Sequence, residues 1–119
     1  MEQLLTAAAL LGMAVPSTDT AVQLVVPLQG DAERKVVTYA CEGAENPFPV
    51  EYINAAPNFL AIVPVGGARL VFAGVLSADG ARYVAGPFEW WSHGSEATFA
   101  DQRRTGEEPA TCTEQNGTP

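Results

Sequence analysis

Short apolar runs separated by turn residues follow one another along the chain after residue 20. Polar and apolar positions alternate within several runs, so that Val37, Tyr39 and Cys41 share one face of their run. Gly, Pro, Asn and Asp fall between the runs, where turns need them. The pattern predicts strands over residues 21–28, 34–41, 50–54, 59–65, 68–75, 81–85, 88–92 and 96–102. With no helical periodicity after residue 20, this predicts an all-β domain, either a small antiparallel barrel or a sandwich.

The length of 119 residues suits one domain with a single packed core. We expect this domain to span residues 21–112 and a polar tail to follow over 113–119. Residues 1–20 are interpreted separately, as a signal peptide or its remnant plus a linker. Eleven Gly and nine Pro agree with a chain that turns often.

The apolar run over residues 4–15 has the length of the central region of a secretory signal and is too short to cross a bilayer. Glu2 and Gln3 stand where such signals carry basic residues. An export signal is the favoured interpretation, with an N-terminal amphipathic helix as the alternative. No stable membrane span is predicted.

The charge balance limits the classes of partner. Six basic residues against 14 acidic ones give a net charge of −8. A nucleic-acid partner is not expected, because the phosphate backbone attracts basic surfaces. A cationic protein partner, met with electrostatic assistance, fits this charge.

Two cysteines, Cys41 and Cys112, lie near opposite ends of the predicted domain. In an exported protein an even pair predicts a disulfide, whereas in the cytosol two reduced core cysteines remain the alternative. A disulfide closing a loop of roughly 70 residues would stabilise the fold by about 4 kcal/mol on the chain-entropy model. Without a Cys-x-x-Cys pair or a histidine cluster, a metal site is not expected.

Catalytic constellations are scarce. His93 is the one histidine, and the sequence has neither a Gly-x-Ser-x-Gly elbow nor a Gly-rich phosphate loop. Composition alone leaves a paired-carboxylate hydrolase open, although acidic side chains in loops are usually solvated.

A small polar loop separates the runs 69–76 and 81–85. Asp79-Gly80 is a strong signal for a tight hairpin turn, because Gly adopts positive φ without steric cost. Such a turn would raise Ser77 and Ala78 to the rim of the sheet, with no bulky side chain at the tip. This loop could enter a narrow cleft on another molecule, although most Asp-Gly hairpins are plain connections.

Five segments then form an ordered set. They are Tyr39-x-Cys41, Val50-x-Tyr52-x-Asn54, Ser77-Ala78-Asp79-Gly80-Ala81-Arg82-Tyr83, Trp90-Trp91-Ser92-His93-Gly94 and finally Cys112. In this order and spacing the set resembles the family of periplasmic and membrane-bound inhibitors of c-type lysozyme. The resemblance covers residues 36–112, and the third and fourth segments are its most specific part.

The resemblance implies a small antiparallel eight-stranded β-barrel closed by one disulfide between Cys41 and Cys112. It also implies a bacterial periplasmic protein without catalysis or cofactor, whose partner is c-type lysozyme. The loop matching residues 77–82 would insert into the lysozyme cleft, with Ser77 reaching the two catalytic carboxyl groups. The residues expected to contact lysozyme are Ser77, Ala78, Asp79, Gly80, Ala81, Arg82, Tyr83, Ser92 and His93.

Chemistry agrees with this role for Ser77. Lysozyme uses one protonated and one ionised carboxyl group, and a serine hydroxyl can donate to one and accept from the other. The family usually brings a lysine from the second loop, where this chain has His93. Histidine is charged only on the acid side of its titration, so we expect inhibition to strengthen as pH falls from about 7.5 toward 5.5.

Other interpretations stay open at this point. Arg82 and Tyr83 have a structural alternative, in which they only brace the hairpin. For the whole protein, the alternatives are a periplasmic barrel that binds a small apolar ligand and a structural envelope protein. The sequence does not decide whether the chain forms a homodimer or which lysozyme it meets.

Overall fold

The computed structural model describes residues 23–25, 27 and 30–115. Eight strands follow one another along the chain. They are β1 (Glu33–Cys41), β2 (Phe48–Ala55), β3 (Asn58–Val65), β4 (Ala68–Val75), β5 (Ala81–Ala85), β6 (Phe88–His93), β7 (Glu96–Asp101) and β8 (Ala110–Glu114).

Each strand pairs antiparallel with the next, and β8 returns to pair with β1, so the sheet closes into a barrel. Cys41 lies opposite Cys112 in this last ladder, and their sulfur atoms form a disulfide across the seam. The predicted eight-stranded barrel with one disulfide is thereby confirmed.

Side chains from the inward positions fill the barrel. Trp90, Tyr39 and Phe72 are the largest fully buried ones, and the Tyr39 and Trp90 rings meet edge to face with centroids 5.0 Å apart. An eight-stranded barrel is just wide enough for side chains to fill it. A small apolar ligand would therefore compete with these side chains for the same space.

A chain of hydrogen bonds crosses this core. The Trp90 indole Nε1 donates to the Tyr52 hydroxyl over 2.9 Å, and that hydroxyl lies 2.7 Å from the Tyr39 hydroxyl. Burial away from water raises the pKa of the Tyr39 hydroxyl far above its usual value, with the hydrogen bond to Tyr52 as the second cause. Tyr39 therefore stays neutral, and the buried polar atoms satisfy one another.

The predicted strands agree with the observed ones from β1 to β7, but the two ends of the series differ. A strand over residues 21–28 was expected, yet the described part of that range, residues 23–25 and 27, lies outside any strand. No strand was predicted after residue 102, so β8 was missed, and its last two residues were assigned to the polar tail. The number of strands is right because these two errors cancel.

Both differences have a physical reason. The barrel closes through β8, which pairs with the end of β1 at residues 39–41, so closure needs no strand from residues 21–28. β8 carries Cys112 as its one fully buried side chain, so its sequence shows almost no apolar alternation. The predicted leader over residues 1–20 lies outside the described residues.

Within the described ranges, no helix is long and apolar enough to cross a membrane.

Candidate functional site

The loop between β4 and β5 lies at one end of the barrel. The last ladder pair before it joins Val75 to Arg82, so residues 76–80 form a five-residue loop, which we call the Ser77 loop. The sequence predicted a tighter turn at Asp79-Gly80. The longer loop leaves Ser77 partly exposed and Ala78 and Asp79 exposed, and the Ser77 hydroxyl donates to the Gly80 carbonyl over 3.2 Å.

Gly80 fixes the loop against β6. Its φ is +66°, in the left-handed region where glycine is favoured. A Cβ atom built on it would lie 2.4 Å from the Ser92 carbonyl oxygen and 2.9 Å from the His93 ring. The position therefore requires glycine both for its backbone conformation and for its close approach to β6.

The second predicted segment, from Ser92 to Gly94, lies directly beside the Ser77 loop. Ser92 pairs with Ala81 in the β5–β6 ladder, and its hydroxyl donates weakly to the Ala81 carbonyl over 3.4 Å. The His93 Nε2 lies 3.6 Å from Asp79 Oδ1, and both side chains are exposed. The structure thus brings together the two segments that the sequence linked only by resemblance.

Trp91 connects them. Its indole Nε1 donates to the Asp79 carbonyl oxygen over 2.9 Å, and its ring stacks on the His93 ring with centroids 5.1 Å apart. Side chains alternate along β6, so Trp90 is buried and Trp91 is partly exposed on the outer face. The sequence had included Trp91 only in the segment from Trp90 to Gly94. It gave no reason to place Trp91 in the site, and the register of β6 against the loop supplies one.

Arg82 and Tyr83 occupy different environments although both were predicted site residues. Arg82 points outward, where it forms an ion pair with Glu89 and covers the Trp91 ring at 5.9 Å. Tyr83 points inward and is 5% exposed, and burial raises the pKa of its hydroxyl. These contacts favour bracing roles for both side chains behind the loop.

Leu76 is a residue at this end of the barrel that the sequence analysis assigned only to the apolar run before the loop. It follows the last ladder pair of β4, and 93% of it is exposed. Phe59, at the start of β3, contributes a second apolar surface nearby and is 42% exposed. The sequence shows an apolar residue immediately before a polar hairpin loop, which does not distinguish an exposed residue from the end of the strand.

The mouth of the barrel at this end is polar. Lys35, Asn54, Ser92 and Glu114 line a small opening of about 160 Å³ that ends on Tyr52 and Tyr83. Among the described residues, no group of three or more His, Cys, Asp or Glu side chains could hold a metal ion. The site therefore offers hydroxyl, carbonyl and apolar groups on a fixed loop, with the His93 and Lys35 side chains as nearby basic groups.

The family model described as membrane-bound lysozyme-inhibitor of c-type lysozyme matches residues 39–108. Two curated relatives carry the name membrane-bound lysozyme inhibitor of C-type lysozyme. The one from Pseudomonas aeruginosa is 45% identical over 83 residues, and the one from Cupriavidus necator is 36% identical over 67 residues. The aligned regions cover 67% and 56% of this chain and span 65% and 53% of the relatives' lengths.

A solved structure shares the fold. The crystal structure of Pseudomonas aeruginosa MliC in complex with hen egg white lysozyme aligns with a TM-score of 0.69 at 35% sequence identity. The alignment covers 83% of this chain and 100% of that one. Since the family model also matches more than half of the sequence, the chain belongs to the family of membrane-bound inhibitors of c-type lysozyme.

Proposed function

We propose that this protein inhibits c-type lysozyme by inserting the Ser77 loop into the active-site cleft of the enzyme. The observation that carries the proposal is the position of the Ser77 hydroxyl. It lies on a partly exposed loop, held by β6, at the end of a closed barrel, in a chain of this inhibitor family. The protein would then act by occlusion, without catalysis of its own.

The chemistry of the loop suits the two carboxyl groups of lysozyme. One is protonated and the other ionised, so the cleft offers a donor and an acceptor close together. The Ser77 hydroxyl can accept from the first and donate to the second by exchanging its weak bond to the Gly80 carbonyl. No side chain of the loop other than Leu76 is large, so its tip fits a cleft built for a sugar chain.

Charge supports the choice of partner. The net charge of −8 attracts a cationic enzyme over distances of about a Debye length, 8 Å at physiological salt. Association should therefore slow as salt rises, while dissociation, which depends on the loop contacts, changes less. We include the periplasm in the proposal as the place of action. An inhibitor there would protect the cell wall, and the Cys41–Cys112 disulfide persists in that oxidising compartment.

The direct test is lysis of bacterial walls by a c-type lysozyme with increasing amounts of the purified protein. We expect stoichiometric inhibition by the wild type and a loss of about tenfold or more for Ser77→Ala, since a buried hydrogen bond to a charged group is lost. Thr105→Ala removes a hydroxyl from an exposed loop at the opposite end of the barrel and should inhibit as the wild type does. Lack of inhibition by the wild type at low and physiological salt would refute the proposal.

A further inference from the structure

An exposed apolar surface adjoins Ser77 on the N-terminal side of the loop. Leu76 is 93% exposed, and Phe59 and Val75 are 42% and 38% exposed. Together with Pro57 they line a groove of about 420 Å³ that ends at Ser77 and Gly80. We call Pro57, Phe59, Val75 and Leu76 the apolar rim.

The apolar rim is not explained by packing within the barrel. Phe59 lies beside Gly74, which has no side chain to cover it, and Phe59 is outside the described core. Leu76 extends past the last β4–β5 ladder pair and lies outside the described core. Single exposed leucines are common, but three exposed apolar side chains beside a functional loop indicate a contact surface.

We infer that Leu76 and the apolar rim are the apolar half of the lysozyme contact and set much of its affinity. This inference rests on the proposed function. Consecutive Cα atoms are about 3.8 Å apart, so a Ser77 that reaches the carboxyl pair carries Leu76 to the wall of the same cleft. That wall is apolar next to the protonated carboxyl group, which lies in a hydrophobic pocket against a tryptophan. Leu76 is thus presented to a surface of matching chemistry.

The Leu76 side chain can be buried in the lysozyme cleft without breaking contacts of the free protein, because 93% of the residue is exposed. Fully burying a leucine favours a complex by about tenfold or more in dissociation constant. The groove behind Leu76, walled by Phe59 and Pro57, leaves room for an apolar side chain from the rim of the cleft. Lysozymes with a polar residue at that rim should therefore bind less tightly.

The test compares dissociation constants for hen egg white lysozyme, measured by surface-immobilised binding, for the wild type, Leu76→Ala, Phe59→Ala and Ser77→Ala. Val71→Ala is the matched control, since Val71 is 61% exposed on the outer face of β4 away from the loop. Circular dichroism and melting temperature verify that each variant keeps the barrel. We expect Leu76→Ala to weaken binding by about tenfold or more and Val71→Ala by less than about twofold.

Failure of the inference is distinct from failure of the proposed function. If Leu76→Ala binds within about twofold of the wild type while Ser77→Ala is weakened, the inference is wrong and the inhibitor function stands. If the wild type binds no lysozyme, both are wrong. The alternative is that a second copy of the chain binds the apolar rim, which sedimentation of the free protein would detect as a dimer. A dimer that Leu76→Asp dissociates would overturn the inference.

Discussion

The indole Nε1 of Trp91 donates a hydrogen bond to the backbone carbonyl oxygen of Asp79 over 2.9 Å. The bond joins the outer face of β6 to the tip of the Ser77 loop, so the position of the loop depends on a strand that does not contain it. The Trp91 ring also contacts the Arg82 guanidinium and stacks on the His93 ring. The two segments of the site therefore act as one unit.

Trp91→Phe tests this connection. Phenylalanine keeps a ring for Arg82 and His93 but removes the donor to Asp79, and a single neutral hydrogen bond is worth about 0.5–1.5 kcal/mol. We predict a loss of inhibition of about threefold to tenfold, read as the inhibitor concentration that halves lysozyme activity. The melting temperature should change little, because Trp91 lies outside the core. A large fall in melting temperature with unchanged inhibition would contradict this.

Gly80→Ala should displace the Ser77 loop. The new methyl group would collide with the Ser92 carbonyl oxygen, and the φ of +66° would be strained. Gly86→Ala is the matched control, because Gly86 has a φ of +56° but nothing within 4 Å of an added Cβ, in the turn at the opposite end of the barrel.

Both variants should lose about 1 kcal/mol of stability from backbone strain, measured by urea denaturation. Only Gly80→Ala should in addition lose inhibition, by about tenfold or more. Equal inhibition by the two variants would show that the position of the loop does not matter.

Inhibition should strengthen as pH falls from about 7.5 to about 5.5, the range in which histidine side chains gain charge. A protonated His93 faces Asp79 at 3.6 Å on its own molecule, and Glu96 is its partner across the β6–β7 ladder. It would also face the ionised carboxyl group of the enzyme in the proposed complex. The contacts with Asp79 and Glu96 are already present in the free protein, so the enzyme's carboxylate is the contact through which acid should tighten binding.

Two variants separate these contributions. His93→Lys carries its charge throughout this range, so it should inhibit better than the wild type at about pH 7.5 and with a flatter pH profile. Asp79→Asn should keep the pH dependence if the enzyme's carboxylate is its source and lose it if Asp79 is. Titration of lysozyme itself affects every variant alike. A flat wild-type profile together with weaker inhibition by His93→Lys would refute the hypothesis.

The buried hydroxyl chain predicts an unequal pair of stability losses. Tyr52→Phe removes the acceptor of the Trp90 indole and the partner of Tyr39, which leaves two buried polar groups unpaired. Tyr39→Phe leaves the Trp90 bond intact. We predict that Tyr52→Phe lowers the free energy of unfolding by about 2–3 kcal/mol and Tyr39→Phe by about 1 kcal/mol, measured by urea denaturation. Equal losses would mean that the Trp90 bond contributes little.

Much of the barrel could be predicted because its connections are short and carry their own signals. Gly66-Gly67 and Gly86-Pro87 separate strands where the sequence placed turns. β8 could not be predicted in this way, since a strand with a single buried side chain lacks the alternation that identifies one. Its place depends on closure against β1, which is a long-range property.

The candidate site also combines features that local sequence predicts with features that depend on long-range strand pairing. Ser77 and His93 could be proposed as site residues from local segments and the resemblance that they support. The exposure of Leu76 could not be predicted, because an apolar residue after a strand looks like the continuation of that strand. Only the register of β4 against β5, which ends at Val75 and Arg82, places Leu76 outside the sheet.

Closure of the sheet also decides how this protein can be recognised. Each of the eight described strands has a neighbour on both sides, although residues 33–37 of β1 and 68–72 of β4 have a ladder partner on one side alone. None of the described strands is therefore open along its whole length, and whole open edges are the usual platforms for strand addition by a partner and for edge-to-edge aggregation. The loops at the rim can therefore change in sequence while the framework that carries them stays the same.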